Sequence, residues 1–394
     1  MKAKSGAYEI PYARQTISDS DIQAVLGVMR SDYLTQGPSV VGFEEAICSY
    51  CDAKYGVATN SATSALHIAC KALNLGPKDL FWTSPISFVA SANCALYCGA
   101  EVDFVDIDPY SYNLCPNALE TKLKKAQKTG ALPKIVMPVH FAGNPCRMSE
   151  IRQLSFKYGF KVIEDASHAV GSEWDSIKVG GCKHSDVTVF SFHPVKIITS
   201  AEGGMALTND IEITDKMRQL RNHGILRNKY KACQQHSEEI WNYEQVCLGF
   251  NYRMNDLEAA LGKSQLASID TFIRKRNELA NLYSSYLDDV PITSQKVNPD
   301  DISSYHLYSI RLNKDVTKHT QKAVYNHMHN QGVKVNLHYI PIHLQPYYSK
   351  LGFKRGDFPE AEKYYQECMS LPLYPSLQRD EVNYVCDQLL DVLR

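Results

Sequence analysis

The chain has 394 residues, 44% apolar and 22% charged, a balance that suits a soluble globular enzyme and excludes extended disorder. At roughly 150 residues per domain, two or three domains are expected. Lys plus Arg number 42 against 43 Asp plus Glu, so the net charge of −1 excludes a general nucleic-acid binder.

In chain order, Met1–Gln15 carries Lys2 and Lys4 but no apolar run, so no signal peptide is expected. Phe43–Cys51 reads as a helix that places Cys48 and Cys51 one turn apart, as buried thiols rather than a metal or redox pair. Leu80–Ala100 is uncharged and long enough for a membrane helix, but Thr83, Ser84, Pro85, Ser87, Ser91 and Asn93 make it a buried strand, loop and helix. With no membrane span, a cytoplasmic protein is expected.

From Tyr55 to Asn209 short β-rich runs alternate with helical ones. Strands are predicted at Gly56–Thr59, Glu101–Asp106, Lys134–His140, Lys161–Ile163, Val187–Phe192 and Gly204–Thr208. Helices are predicted at Thr63–Leu73, Ser87–Tyr97, Pro116–Lys125 and Ser149–Tyr158. Such alternation predicts an α/β layer with a mostly parallel sheet, whose functional residues gather at the strands' carboxyl ends. A helix-rich stretch, Leu257–Leu287, leads to a smaller unit with strands at His306–Leu312 and Val333–Leu337 and helices at Pro359–Met369 and Asp380–Leu393. Two domains are drawn: residues 1–255, large, and residues 256–394, smaller.

Three segments carry chemistry. Asn60-Ser61-Ala62-Thr63-Ser64-Ala65-Leu66 follows a strand and opens a helix, where free backbone N–H groups suit a phosphate or an ordinary N-cap. Glu164-Asp165-Ala166-Ser167-His168 puts acids and a histidine at a strand end, for a cationic ring nitrogen or a structural ion pair. Ser191-Phe192-His193-Pro194-Val195-Lys196 sets a lysine just after an apolar strand. Partial desolvation there lowers an amine's pKa, and a neutral amine can form a Schiff base. His338 and His343 flank a proline but have no third ligand nearby, so no metal site is read.

Phosphate loop, strand-end Asp165 and strand-end Lys196, in that order, resemble the fold type I pyridoxal-phosphate transferases of the aspartate aminotransferase kind. With Leu34-Thr35-Gln36-Gly37, Glu202-Gly203-Gly204, Asn222-His223-Gly224, Gly249–Met254, Tyr339 and Leu371-Pro372, nearly the whole chain resembles the DegT/DnrJ/EryC1/StrS family of nucleotide-sugar aminotransferases. Ala62 stands where that family commonly has glycine, a departure shared by a branch that aminates a UDP-linked 4-keto sugar.

The resemblance implies a role for each matching residue. Lys196 forms the Schiff-base link to pyridoxal 5′-phosphate and shuttles a proton, and Asp165 pairs with the pyridine nitrogen. Phe88 stacks on the ring, Ala62, Thr63 and Ser191 hold the phosphate, and His168 sits close to the ring. Asn251 reaches the phosphate from the neighbouring subunit of a homodimer. Asp32, Tyr33, Leu34, Thr35, Tyr12, Asn336, Leu337, His338 and Tyr339 match sugar-nucleotide contacts. L-Glutamate is the implied donor and C4 of a UDP-linked 4-keto-6-deoxy-N-acetylhexosamine the acceptor. A relative acting on another keto-sugar, at C3 or C4, and a non-catalytic regulatory relative stay open, whereas the family's dehydratases lack the lysine that is present here.

Overall fold

The computed structural model describes residues 9–226, 241–288, 290–313 and 319–393. Seven strands build the central sheet: β1 (Tyr55–Thr59), β2 (Leu80–Thr83), β3 (Glu101–Phe104), β4 (Ile135–Met137), β5 (Lys161–Asp165), β6 (Val187–Ser191) and β7 (Gly204–Thr208). Their order is β1-β7-β6-β5-β4-β2-β3. Every pairing from β6 through β3 is parallel, and β7 runs antiparallel to both β1 and β6.

Both faces of this sheet are covered, so its strands are apolar almost throughout. Successive residues point to opposite faces. Ile163 therefore packs with Val57, Ile68, Phe81 and Ala206, while its neighbour Val162 packs with Trp82, Leu119, Leu123 and Ile151. The first face is closed by α1 (Ala62–Ala72), buried from Ser64 through Cys70 and again at Ala72, and the second by the helices Pro116–Thr129 and Met148–Tyr158. Both of the latter end on a glycine in the left-handed conformation (Gly130 at φ 73°, Gly159 at φ 79°), which stops the helix without a side-chain clash.

Buried ionic and polar contacts then anchor the sheet's edge. Glu44 takes hydrogen bonds from the Ala58 amide at 2.8 Å and Arg221 at 2.5 Å, and Arg221 also donates to the Ala58 carbonyl at 2.8 Å. This fixes β1, and through it the loop that opens α1. Gly204 lets β7 come closest to that loop: a Cβ there would overlap the Ala62 nitrogen and lie 2.5 Å from the Ser61 carbonyl carbon.

The C-terminal part builds a second core. Strands Ile292–Ser294, Tyr308–Leu312 and Cys368–Leu371 form an antiparallel sheet packed on Gln321–Asn330, Ile269–Tyr286 and Arg379–Leu393. Ile10 joins this core. Arg276 is fully buried, and its guanidinium donates to the carbonyls of Tyr305, His306 and Leu373, lacing the connecting helix to the rest.

Three expected elements differ. Val333–Leu337 is not a strand: Val333 bridges Ile10 and Asn336 bridges Ser370, so the segment crosses between two partners and follows neither. The helix expected over Pro359–Met369 stops at Glu367. Cys368–Leu371 is extended and paired with Tyr308–Arg311, because backbone ladder bonds and burial at all four positions outweigh helix continuation. The helical stretch after Asp256 is also broken, into Asp256–Leu266 and Ile269–Tyr286.

Gly204→Ala is expected to lower stability by about 1–3 kcal/mol, because the methyl must push the start of α1 away from β7. It should also weaken anion binding at Ala62 and Thr63. Urea denaturation and titration with phosphate would read both effects.

Candidate active site

One cavity of about 530 Å³ opens at the carboxyl ends of the sheet strands. Its walls include Tyr12, Ala62, Thr63, Phe88, Asp165, His168, Ser191, Lys196 and Asn336 to Tyr339. Residues predicted from widely separated stretches of sequence therefore share one space.

The phosphate-type end is the start of α1. Ser61 caps it, its hydroxyl accepting from the Ser64 amide at 3.1 Å, while the first turn carries no side chain larger than Thr63. Ser191, at the end of β6, and Gly203 face the same space. Backbone N–H groups at a helix start, a small-residue loop and a hydroxyl form an anion cradle.

At the centre, Asp165 ends β5 and is 4% exposed. One carboxylate oxygen accepts from the Ser91 hydroxyl at 2.6 Å; the other accepts from the Ser167 hydroxyl at 2.6 Å and the Ser167 amide at 3.1 Å. Ser87 lies 2.5 Å from Ser91 and extends the network. Three donors on one carboxylate satisfy its oxygens and fix its orientation. Lys196 enters the same cavity from the loop after β6. Burial pulls its amine down to about 8, against the opposing pull of Asp165. Phe88 is 59% exposed at the mouth, with its ring 6.4 Å from that of Tyr339.

The far wall is built of rings. His168 accepts from the Ala142 amide through Nδ1 at 3.2 Å, and its Nε2 lies 3.1 Å from the Tyr339 hydroxyl. Burial, with Lys196 and His338 nearby, holds its pKa well below the usual histidine value. His338 is held down to about 3 by burial and by Lys196, and its Nδ1 lies 2.9 Å from the Ser370 hydroxyl. His306 packs with its ring 4.3 Å from that of His168, tilted by 49°, and also lines the cavity.

Asp32, Tyr33, Leu34, Thr35 and Asn251 do not line this cavity. They lie together elsewhere: Thr35 bridges Asn255, the Asp256 amide donates to the Leu34 carbonyl, and Asn251 bridges Asn222 on the same side. Tyr33, Leu34 and Asn251 are exposed.

Ser91, Ser167 and His306 had no role in the sequence reading. Ser87 and Ser91 were legible only as an i, i+4 polar pair in an apolar helix, and His306 only as the start of a strand. His338 and His343 do not face one another as ligands: His343 is buried against Glu362 at 3.1 Å. Among the described residues, no group of three His, Cys, Asp or Glu side chains is placed to hold a metal ion. Cys48 and Cys51 are free thiols, Cys51 pushed above its ordinary value by burial.

An anion cradle, a hydrogen-bonded carboxylate, a desolvated amine and an aromatic face fit pyridoxal phosphate at its phosphate, ring nitrogen, aldehyde and ring plane respectively. The amine's desolvation has a measurable cost in the cofactor-free protein. Lys196→Met should stabilise that form by about 2–3 kcal/mol at pH 7. The unfolded lysine binds its proton more tightly than the folded one. The advantage is therefore full below pH 8 and fades as pH rises toward the unfolded value of 10.5. Denaturant midpoints of both proteins at pH 7 and pH 10 would measure it.

Residues 15–390 match the DegT/DnrJ/EryC1/StrS aminotransferase family. The UDP-4-amino-4,6-dideoxy-N-acetyl-beta-L-altrosamine transaminase of Campylobacter jejuni is 36% identical, over 98% of this chain and 97% of that one. Among solved structures, Helicobacter pylori PseC, an aminotransferase involved in pseudoaminic acid biosynthesis, superposes with a TM-score of 0.88. It is 32% identical and covers 98% of this chain and 99% of its own. A putative sugar aminotransferase of Streptococcus pneumoniae, solved in its pyridoxal-phosphate form, superposes at 0.87 with 25% identity, over 98% of both chains. The fold is thus that of the type I pyridoxal-phosphate transferases, and the chain belongs to the DegT/DnrJ/EryC1/StrS family as a pyridoxal-phosphate-dependent sugar aminotransferase.

Proposed function

We propose that this chain moves the amino group of L-glutamate to C4 of a UDP-linked 4-keto-6-deoxy-N-acetylhexosamine, within a route to pseudaminic acid. The observation that carries the reading is the likeness, over nearly its full length, to the C. jejuni altrosamine transaminase, joined to a cavity holding an amine, a carboxylate and an anion cradle.

Pyridoxal phosphate, when bound, supplies a carbonyl that condenses with amines and a ring that stores an electron pair. Lys196 anchors it, and the same amine, once released, takes the proton from the donor's α-carbon and later returns one at C4 of the sugar. A pKa brought down to about 8 leaves part of that amine unprotonated near neutral pH. Asp165 keeps a proton at the pyridine nitrogen, with Ser91 and Ser167 holding its oxygens in place. Ala62, Thr63 and Ser191 hold the phosphate, Phe88 covers the ring face, and His168 stands close to the ring. Tyr12 and Asn336 to Tyr339 orient the sugar nucleotide from the C-terminal side of the cavity.

Asp32 to Thr35 and Asn251 lie outside that cavity on one exposed side of the chain. A second copy can present them to it. Tyr33, Leu34, Trp241, Tyr243 and Leu248 are exposed too, and an apolar surface of this kind suits contact with another protein. We therefore assign a C2 homodimer with shared sites. We place it in the cytoplasm: the cysteines among the described residues are free thiols, and no helix there is long and apolar enough to cross a membrane.

The direct test incubates the purified protein with glutamate and a panel of UDP-linked 4-keto sugars and identifies products by NMR. Amination at C4 of the N-acetylhexosamine is expected. Exclusive amination at C3, or of another sugar, would replace this substrate assignment.

Asp165→Asn should retain cofactor through the phosphate contacts and yet slow α-proton removal at least about 100-fold, since an amide does not hold the ring-nitrogen proton. Single-turnover absorbance with glutamate would show it, and a near-normal rate would remove Asp165 from this role.

Asn251→Ala should weaken cofactor binding about tenfold or more, the worth of a hydrogen bond to a charged group. When Lys196→Ala and Asn251→Ala chains are co-expressed, half the dimers are mixed, and each holds one intact site. About a quarter of all sites should then work at limiting cofactor. Activity equal only to the average of the two parents, with mixed dimers seen by mass spectrometry, would sink the shared site.

A further inference from the structure

We propose that Tyr339 is a catalytic proton donor to the oxygen on the reacting carbon of the carbonyl substrate, aimed by a relay that begins at the Ala142 backbone amide and passes through His168. The inference rests on the aminotransferase reading but not on which sugar is used.

The relay's polarity is set by bonding alone. The Ala142 N–H donates to Nδ1 of His168 at 3.2 Å, so that nitrogen must present a lone pair. The ring is buried and neutral, with its pKa well below the usual histidine value, and its single proton is therefore on Nε2. Nε2 lies 3.1 Å from the Tyr339 oxygen, which must accept. The phenol proton is left to point elsewhere. Among the described residues the oxygen has no other partner, and Tyr339 lines the cavity that Lys196 enters. Burial pushes the phenol above its ordinary pKa, so it stays a donor throughout the neutral range.

The turn that delivers the amide is specialised. Ala142 (φ 61°) and Gly143 (φ 92°) are both left-handed, a conformation that a residue with a side chain rarely adopts. A Cβ at Gly143 would overlap the Ser304 hydroxyl and lie 3.0 Å from the His168 carbonyl. His306, packed 4.3 Å from His168 with its Nδ1 unpartnered, closes the other side of the ring and offers it no competing hydrogen bond.

Both half-reactions exchange a carbonyl oxygen for an amine nitrogen, one forwards and one in reverse. In the net change a carbonyl compound and a primary amine become a carbon–nitrogen double bond and one molecule of water. The carbon–oxygen bond breaks, a carbon–nitrogen bond forms, and both amine protons end on the departing oxygen without any oxidation. Tyr339 delivers a proton to that oxygen as its bond to carbon breaks and regains one from the nitrogen as it sheds its last. In the reverse direction it takes the proton back from the incoming water.

Two measurements on the cofactor-loaded protein test this. With 15N-labelled histidine, His168 should show an unprotonated Nδ1 and a protonated Nε2 by NMR. The pyridoxamine form should react with 2-oxoglutarate about 100-fold more slowly in Tyr339→Phe, as expected for loss of a general acid, with cofactor affinity unchanged. His168→Gln, whose amide can accept from Ala142 and donate to Tyr339, should lose less than His168→Leu. A proton on Nδ1, a Tyr339→Phe rate within about twofold of wild type, or equal losses in the two His168 variants would each overturn the relay. Because 2-oxoglutarate replaces the sugar, a wild type that aminates none of the UDP-sugars would overturn the substrate assignment and leave this result standing.

Discussion

A carboxylate that must be hydrogen-bonded once it is taken out of water is the constraint around which this molecule is arranged. Asp165 is 4% exposed, and a polar group buried to that degree is costly unless it is hydrogen-bonded. The Ser91 hydroxyl and the Ser167 hydroxyl and amide replace the lost water, and the Lys196 amine shares the cavity. These groups come from three different elements: a helix start, the turn after β5 and the loop after β6. The sheet order that brings these elements together, with β5 between β4 and β6, is therefore also what satisfies the buried carboxylate.

The same desolvation acts in opposite senses on the groups around it. It favours the neutral amine of Lys196 and the neutral rings of His168, His306 and His338, and it opposes ionisation of Tyr339. The cavity thus sets a hydrogen-bonded carboxylate beside an amine near its titration point and a wall of neutral donors and acceptors. That composition suits chemistry in which protons move singly between carbon, nitrogen and oxygen.

The cavity belongs to both parts of the chain. Tyr12 and Asn336 to Tyr339 come from segments tied to the C-terminal core, through Ile10 and through Ser370. Arg276 binds that core to the carbonyl of His306, one step from the ring wall. A buried guanidinium facing only carbonyls is costly to desolvate, and its pKa is drawn down to about 9 by burial. It does tie two other segments, at Tyr305-His306 and at Leu373, to its own helix.

The alternation of elements, the strand-end positions of Asp165 and Lys196 and the small-residue start of α1 were legible in the sequence. Each is a local pattern: hydrophobic period, turn chemistry and caps act over a few residues. The family resemblance extended this to the other predicted residues that line the cavity, among them Tyr12, Phe88, His168 and Tyr339. Tertiary structure alone decided the rest. Ser91 meets Asp165 across 74 positions, Tyr339 meets His168 across 171, and β7 fits against Ala62 only because Gly204 has no side chain. Cys368–Leu371 is a strand because Tyr308–Leu312 lies beside it, and Val333–Leu337 is not one because its two contacts lie on different partners. The exposed placement of Asn251 and of Asp32 to Thr35, outside the cavity they were expected to serve, is likewise invisible to any local pattern. Contacts between residues far apart in sequence follow from how whole elements pack, and no short window of the chain contains that information.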